Sequence, residues 1–293
     1  MQEKLTTLLQ ILNYSAELLA KNGIREPRLN AELMLSDALK CRRLDLYLNF
    51  DKPLLENEVG TFKSYLKRRL NKEPLQYILG STNFYGYDIE VNENVLIPRQ
   101  DTEVLVEKFL ERTEQADDVS ILEIGSGSGC IATAIVRELE KAGRNYFYTA
   151  VDNSDNAIEM TRRNLLNNKA DSSKYLILKR DCLSSHFSIG ELEKECGKGF
   201  NYIVSNPPYI SIEEYGLLDE EVRKHEPKKA LTDDGDGLVF YRKLLEIKGN
   251  RELFLEIAYN RKDELTKLLK SKNLNDFEFL KDYSENYRVL ILK

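Results

Sequence analysis

From residue 119 to the end of the chain, short apolar runs suited to strands alternate with stretches patterned as helices. Runs at 119–124, 146–152, 175–181, 202–210 and 253–258 are interleaved with helical periodicity at 130–143, 154–168, 238–248 and 261–272. A strand bounded by helices must be covered on both faces, so this rhythm predicts βαβ units wound into a doubly wound, mostly parallel sheet. The last two β runs, 277–280 and 287–293, have no helix between them, which predicts an antiparallel terminal pair.

The first 72 residues have a different texture. Leu5, Leu8, Leu9, Leu12, Leu18 and Leu19 recur at helical spacing, and Glu3, Lys4, Asn13 and Glu17 interrupt the apolar stretch. That is the pattern of an amphipathic helix, not of a signal peptide or a membrane span. A second periodic set, Ala31, Leu33, Met34, Leu35, Ala38 and Leu39, follows a candidate cap at Asn30, and a third segment covers 56–70. Four or five short helices are expected. Between 73 and 104 the chain turns to Tyr, Phe, Ile and Val, punctuated by Gly80, Gly86 and Asn92, Glu93, Asn94. This predicts a β-hairpin linker. The expected organisation is therefore a helical domain at 1–72, a hairpin linker at 73–104 and an α/β domain at 105–293.

Charge and cysteine usage narrow the class of partner. With a net charge of -6, the chain lacks the cationic excess by which proteins neutralise many phosphates, so no direct nucleic-acid partner is expected. The cluster Lys67, Arg68, Arg69 reads as a solvated helix face. Cys41, Cys130, Cys182 and Cys196 show no CxxC spacing, and His186 and His225 are the only histidines. A metal site is not expected, and the thiols suit a reducing, cytoplasmic setting. The expected protein is a cytoplasmic monomer with no membrane association.

Two motifs carry chemistry. Glu123, Ile124, Gly125, Ser126, Gly127, Ser128 and Gly129 lie where a strand ends and a helix begins, so a ligand can approach bare backbone there. The spacing is GxGxG and not the GxGxxG of dinucleotide binders, and Glu123 can accept from the amino group of a cationic amino-acid ligand. Both point to S-adenosylmethionine. Asp152, ending the next strand, is placed to accept ribose hydroxyls, and Asp181, ending the third, to accept from an adenine amine or to be a plain loop carboxylate.

The second motif is Asn206, Pro207, Pro208, Tyr209. Two prolines stiffen the segment and donate nothing, leaving the Asn206 side-chain oxygen and the Pro207 carbonyl as posed acceptors for one NH₂ group. Orienting a delocalised, weakly nucleophilic nitrogen in this way suits methyl transfer to a planar amine, with Tyr209 stacking on the flat substrate. The proton can leave after transfer, so no histidine base is required. A glutamine amide and an adenine N6 amine both satisfy this geometry, and a catalytically silent cofactor-binding module would not need it.

Beyond these motifs stand Glu73 to Gly80, Phe84, Tyr85, Gly86, Leu96 to Glu103, Glu226 with Pro227, Ala230 with Leu231, Asp236 to Leu238 with Tyr241, and Arg28 to Glu32. Together they make the chain resemble, over nearly its full length, the PrmC/HemK family of glutamine N5-methyltransferases that modify peptide chain release factors. The resemblance implies a class I S-adenosylmethionine-dependent methyltransferase fold with a seven-stranded sheet, preceded by a helical substrate-recognition domain. It implies that Gly125, Ser126, Gly127, Ser128, Gly129, Asp152, Asp181 and Cys182 bind the cofactor and that Asn206 touches cofactor and substrate. It also implies that Pro207, Pro208 and Tyr209 frame a glutamine in the Gly-Gly-Gln loop of class 1 release factors, Asn206, Pro207 and Tyr209 being catalytic. The same motifs leave a ribosomal-protein glutamine and a nucleic-acid adenine as alternative targets. Three positions depart from the family pattern: Cys182 stands where an aromatic residue is usual, Gln100 where proline is usual and Ala258 where glycine is expected.

Overall fold

A computed structural model describes residues 7–293, so the expectations at Glu3, Lys4 and Leu5 lie outside the described residues. The chain divides into two units, one formed by residues up to Gly80 with Asp219–His225, the other by Ser81–Leu218 with Glu226–Lys293. The separate piece Asp219–His225 has no counterpart in a division of the sequence into consecutive blocks.

In the first unit, α1 (Leu8–Lys21) opens on Thr7, whose hydroxyl accepts from Gln10 N while the Gln10 side chain accepts from Thr7 N. This reciprocal cap satisfies two of the helix's free donors. Leu8, Ile11, Leu12 and Leu19 recur on one face of the helix and are buried. α2 (Pro27–Ala38) begins three residues before the cap expected at Asn30. Pro27 starts it early, because the ring presets a helical φ and lacks the N–H that a first turn leaves unpaired. Asn30 instead lies inside the helix, buried, with Nδ2 donating to the carbonyls of Arg25 and Glu26, each at 3.1 Å.

Three further helices, α3 (Arg43–Tyr47), α4 (Glu56–Leu70) and α5 (Leu75–Leu79), complete the run. They surround a core that includes Leu12, Leu19, Met34, Leu35 and Phe62. α5 occupies a segment whose residues favour strands, because Pro74 precedes it and Gly80, at φ 82°, closes it in the left-handed conformation. Buried Arg69 donates to Asn30 Oδ1 at 2.7 Å, to the Glu73 carbonyl at 2.8 Å and to Glu221 Oε2 at 2.8 Å.

The second unit starts with a hairpin, β1 (Ser81–Phe84) and β2 (Tyr87–Glu90), paired from Ser81 with Glu90 to Phe84 with Tyr87. Tyr85 (φ 53°) and Gly86 (φ 82°) form its two-residue turn, and both left-handed residues match the twist of the strands. Glu103 holds this turn by accepting from Tyr85 N at 2.7 Å. Between residues 73 and 104 strand structure is thus confined to these two segments, and α6 (Gln100–Thr113) begins before the end of the interval.

The main sheet follows the expected alternation through β3 (Val119–Ile124), α7 (Cys130–Lys141), β4 (Tyr146–Asp152), α8 (Asp155–Asn167) and β5 (Tyr175–Lys179), and then adds α9 (Ile189–Cys196), a helix the apolar pattern did not predict, before β6 (Tyr202–Ser205). Three short helices come next, α10 (Ile212–Tyr215), α11 (Glu220–His225), which belongs to the first unit, and α12 (Lys228–Leu231). α13 (Val239–Ile247), β7 (Glu252–Glu256), α14 (Lys262–Ser271), β8 (Phe277–Lys281) and β9 (Tyr287–Leu292) finish the chain.

The strand order is β5-β4-β3-β6-β7-β9-β8, with β9 antiparallel to both neighbours and the other main-sheet pairs parallel. The sheet therefore has seven strands with one reversed near its end, the fold class expected above. All six residues of β3 are buried, as a central parallel strand covered on both faces requires. β3 pairs with β4 on one side and β6 on the other, so the winding reverses between β3 and β6. A crevice at the carboxyl ends of those strands is the usual ligand site of such sheets. Among the described residues no helix is long and apolar enough to cross a membrane, and no cluster of His, Cys, Asp and Glu could hold a metal ion.

Candidate active site

The turn after β3 is built on glycines at positive φ, Gly125 at 81°, Gly127 at 55° and Gly129 at 76°. Gly129 is also pinned by its neighbours: a Cβ there would lie 2.7 Å from the Thr161 Cα, so α8 packs directly against bare backbone. At Gly125 and Gly127 a Cβ would meet no atom within 4 Å, which leaves open space in front of the turn. Thr161 Oγ1 donates to Ser126 Oγ at 2.9 Å, and Asn164 Nδ2 donates to the Ser128 carbonyl at 2.8 Å, fixing the turn from behind.

Asp152, the last residue of β4, locks the same turn. Its Oδ2 accepts from Gly127 N at 2.9 Å and its Oδ1 from Ser154 N at 2.9 Å. Burial raises its carboxyl above the usual carboxylate range, and the backbone donors of Gly127, Ser154 and Asn153 oppose that shift. Ser154 caps α8 through its own hydroxyl, which leaves Asp152 free of that duty.

A cavity of about 370 Å³ opens at the reversal point. Gly125, Ser126, Gly127, Ser128, Asp152, Asp181, Cys182, Asn206, Pro207 and Pro208 all line it. Four segments remote in sequence, after β3, β4, β5 and β6, thus converge on one volume. Asp181 also accepts from Leu183 N at 3.0 Å, tightening its own turn. Cys182 is buried, and that burial pushes its thiol up to about 12. A thiol of that acidity is an apolar wall and not a nucleophile.

Three expected site residues do not line the cavity: Glu123, Gly129 and Tyr209. Glu123 is fully buried beneath the turn, where its Oε2 accepts from the Tyr148 hydroxyl at 3.1 Å. Desolvation raises its carboxyl well above the usual range. Gly129 supports the turn through its contact with Thr161. Tyr209 directs its hydroxyl to Glu256 Oε1 at 3.4 Å, and its ring packs with the core that includes Tyr241 and Leu255. Burial makes its phenol a weaker acid than an exposed tyrosine.

Asn206 carries the geometry that decides what this site can do. Its Nδ2 donates to Thr102 Oγ1 at 3.1 Å, so the side-chain oxygen is the end presented for an incoming donor. The segment is braced on two sides. Ser205 Oγ donates to the Ile124 carbonyl at 2.6 Å, while Ile210 bridges Thr232 and donates its N–H to the Leu231 carbonyl at 3.1 Å. The acidic loop at 233–237 works as a turn capping the next helix: Asp233 accepts from Gly235, Gly237 and Val239 N–H groups at 2.8, 3.0 and 2.9 Å.

Motif reading assigned no role to Thr102, Arg99, Glu226 or Glu256, although all four lie in quoted segments. Thr102 and Arg99 line the cavity. Buried Glu226 accepts from Ile97 N at 3.3 Å and from Arg99 Nη2 at 2.5 Å, fixing the segment that walls the cavity opposite the glycine turn. The sequence signal for Thr102, Arg99 and Glu226 was their place in the segments that carry the family resemblance, and for Glu256 its place in the apolar run 253–258; neither gives a partner.

A seven-stranded sheet with one reversed strand, a glycine turn at its switch point and a cavity at its carboxyl edge that a strand-end carboxylate borders define a class I S-adenosylmethionine-dependent methyltransferase. Residues 10–80 match the PrmC N-terminal domain and residues 99–264 the methyltransferase small domain. The chain is 38% identical over 291 residues to the release factor glutamine methyltransferase of Fusobacterium nucleatum subsp. nucleatum, covering 97% of this chain and 78% of that one. It is 35% identical to the enzyme of the same name from Chlorobaculum tepidum (97% and 96% covered) and 40% identical to that from Geobacter sulfurreducens (80% and 77% covered). The chain belongs to the PrmC family of release factor glutamine methyltransferases.

Proposed function

We propose that this chain methylates the side-chain amide nitrogen of the glutamine in the Gly-Gly-Gln loop of class 1 peptide chain release factors. The observation that carries this reading is the orientation of Asn206: with Nδ2 committed to Thr102, its oxygen faces as an acceptor within the same cavity as the glycine turn. A primary amide offers two N–H donors, which match that oxygen and the Pro207 carbonyl. An acceptor pair of this kind holds the amide nitrogen in one orientation for attack, where proximity and alignment lower the barrier.

The cavity fits the cofactor. The open space before Gly125 and Gly127 admits a ligand against backbone, Asp152 stands ready for ribose hydroxyls, and Asp181 with Cys182 borders the place of the adenine. Ser126, Ser128 and Gly129 shape the turn, and buried Glu123 supports it from below. When bound, S-adenosylmethionine supplies a methyl group on a positively charged sulfur, and S-adenosylhomocysteine remains after transfer. Asn206 and Pro207 hold the substrate nitrogen, Pro208 stiffens the segment, and Tyr209 anchors it through its hydroxyl to Glu256 Oε1. The amide proton departs after transfer, once the nitrogen has become acidic.

The helical segment at 1–72 serves as the substrate-recognition domain. Leu44, Leu48 and Leu55 there are 68%, 80% and 62% exposed, which supplies apolar area for gripping a protein partner. We place the enzyme in the cytoplasm, acting as a monomer on a protein target with no nucleic acid or membrane involved. The test is transfer of labelled methyl from S-adenosylmethionine to a purified release factor, with a Gln→Ala version of its Gly-Gly-Gln loop and an adenine-containing duplex alongside. Label on the intact factor alone supports the reading; label on the Gln→Ala factor or on DNA overturns it.

A further inference from the structure

S-adenosylmethionine carries one anionic group, the α-carboxylate of its methionine part, and neither Asp152 nor Asp181 can receive it. Such a group needs strong donors when it leaves water. Four cationic side chains line the cavity, those of Arg99, Arg180, Lys228 and Lys229. Arg180 stands beside Asp181 and donates from Nη2 to Glu195 Oε2 at 2.6 Å. Lys228 pairs with Asp234 Oδ1 at 2.5 Å, and Lys229 is exposed.

Arg99 differs in being braced from behind. Its Nη2 donates to Glu226 Oε1 at 2.5 Å, and Glu226 Oε2 accepts from Ile97 N at 3.3 Å. The Glu226 side chain is 2% exposed and that of Arg99 38%, so the carboxylate lies in the interior and the guanidinium at the cavity wall. Both oxygens of Glu226 are thus satisfied, while Nε and Nη1 of Arg99 have no partner among the described residues. Arg99 is also the N-cap of α6, without capping it by its side chain, and its carbonyl accepts from Thr102 N at 3.1 Å. Thr102 in turn holds Asn206 Nδ2. The first turn of a helix this long adds positive potential at the same place. The two acids of that turn are engaged elsewhere, Asp101 with Arg288 at 2.7 Å and Glu103 with Tyr85 N at 2.7 Å.

We infer that Arg99 binds the α-carboxylate of the cofactor and that Glu226 is the positioning residue that aims it. This inference rests on the cofactor placement proposed above. A guanidinium offers a planar fork of donors that matches a carboxylate, and a fork already fixed loses less freedom when the ligand arrives. Fixing it is what the buried Glu226 carboxylate supplies. The group that anchors the cofactor and the group that orients Asn206 then share one helix start, three residues apart, which ties the placing of the methyl donor to the placing of the substrate amide.

Calorimetric titration with two probes tests this: S-adenosylhomocysteine, and its decarboxylated form, which keeps the amino group and lacks only the carboxylate. Wild type should prefer the first by about tenfold to a hundredfold. R99M should bind the two within about threefold of one another. R99K keeps a charge beside Glu226 but loses the fork, so its preference should fall by about threefold or more. E226Q should lose a similar part of the preference while binding the decarboxylated probe as wild type does. General damage to the site would weaken both probes equally, and that result in E226Q overturns the positioning role. A wild-type preference in R99M overturns the inference, and a raised KM for the release factor alongside it would give Arg99 to the substrate instead. If R99M does not fold, R99K decides alone, and a wild-type preference there is equally fatal. If wild type binds neither probe, the cofactor placement fails and the inference with it. Selective binding of S-adenosylhomocysteine by a protein that labels no release factor would remove the proposed substrate and leave this inference standing.

Discussion

Gly237 backs directly onto Tyr209: a Cβ at position 237 would stand 2.5 Å from the Tyr209 carbonyl oxygen and 2.9 Å from Arg261 Nη2. With φ at 80°, the position is closed to side chains by conformation as well as by space. The loop that Asp233 organises is thus a wall against which the 206–209 segment rests. Gly237→Ala should destabilise the protein by about 1–3 kcal/mol and displace the segment. A shift of a few tenths of an ångström in Tyr209 misaligns Asn206, so kcat should fall while cofactor affinity, held by the turn at 125–129, stays near wild type. Calorimetric titration with S-adenosylmethionine alongside transfer kinetics checks this. Unchanged kcat in a folded Gly237→Ala enzyme means the wall does not govern the segment.

Asn206→Ala removes the acceptor that orients the substrate amide and leaves Asp152 and the glycine turn untouched. Loss of alignment at the reacting nitrogen should cost about 100-fold or more in kcat. Cofactor binding should be partly retained, because the other cavity residues remain. Single-turnover kinetics with saturating S-adenosylmethionine separates the two effects, and a wild-type rate from this variant defeats the orienting role.

Asp152→Ala should give the opposite division. Both carboxylate oxygens already hold backbone N–H groups, at Gly127 and Ser154, so the variant frees the turn as well as removing the ribose acceptor. Charge-assisted hydrogen bonds contribute about 1.5–3 kcal/mol, so cofactor affinity should weaken by about tenfold to a hundredfold. At saturating cofactor, kcat should recover much of its wild-type value. Equal affinity in the two proteins would place the ribose elsewhere in the cavity.

How much of this could be read from the sequence depends on whether the signal was local. The alternation of apolar runs and helical periods locates the strands of the main sheet because a strand's burial on both faces is written into its own residues, as in Val119–Ile124. The ligand turn is equally legible, since three glycines at positive φ have few substitutes. The start of α2 was misplaced because Asn30 is a good cap in isolation, while Pro27 decides the boundary. Tyr209, beside two prolines, is legible as a stacking face for a flat substrate. Its hydroxyl meets Glu256, 47 positions later, and no local pattern reports that contact. The same holds for Thr102 and Asn206, 104 positions apart, whose pairing exists only once α6 and β6 have packed.

The first unit makes a separate prediction about its borrowed piece. Arg69 is buried, and its charge is met by Glu221 from the segment Asp219–His225. Breaking a buried ion pair by removing one partner leaves the other uncompensated and costs about 3–5 kcal/mol. Because Glu221 keeps a third of its side-chain exposure, the lower end of that range applies. Arg69→Ala should therefore lower stability and loosen Asp219–His225, which limited proteolysis would report as new cleavage within that stretch. An unchanged digestion pattern would mean that other contacts hold the segment.

The titration of Glu256 should also be visible in stability, with a sign opposite to that of an ordinary surface glutamate. Its carboxyl titrates at about 7 in the fold and near 4.5 in the unfolded chain. Below the lower value both states carry the proton and Glu256 has no effect on the balance. Between the two values the unfolded chain ionises while the fold keeps its proton, so stability falls as pH rises. Above the upper value both are ionised and the penalty is complete, about 3 kcal/mol. E256Q carries no such charge. The stability of E256Q minus that of wild type should therefore rise by about this amount from acid to alkaline pH, and the contributions of all other titrating groups cancel in the difference. Urea unfolding of both proteins on either side of neutrality measures it. Parallel curves would show that the buried carboxyl is already compensated. The rising difference would show a buried charge that the fold keeps at the expense of stability.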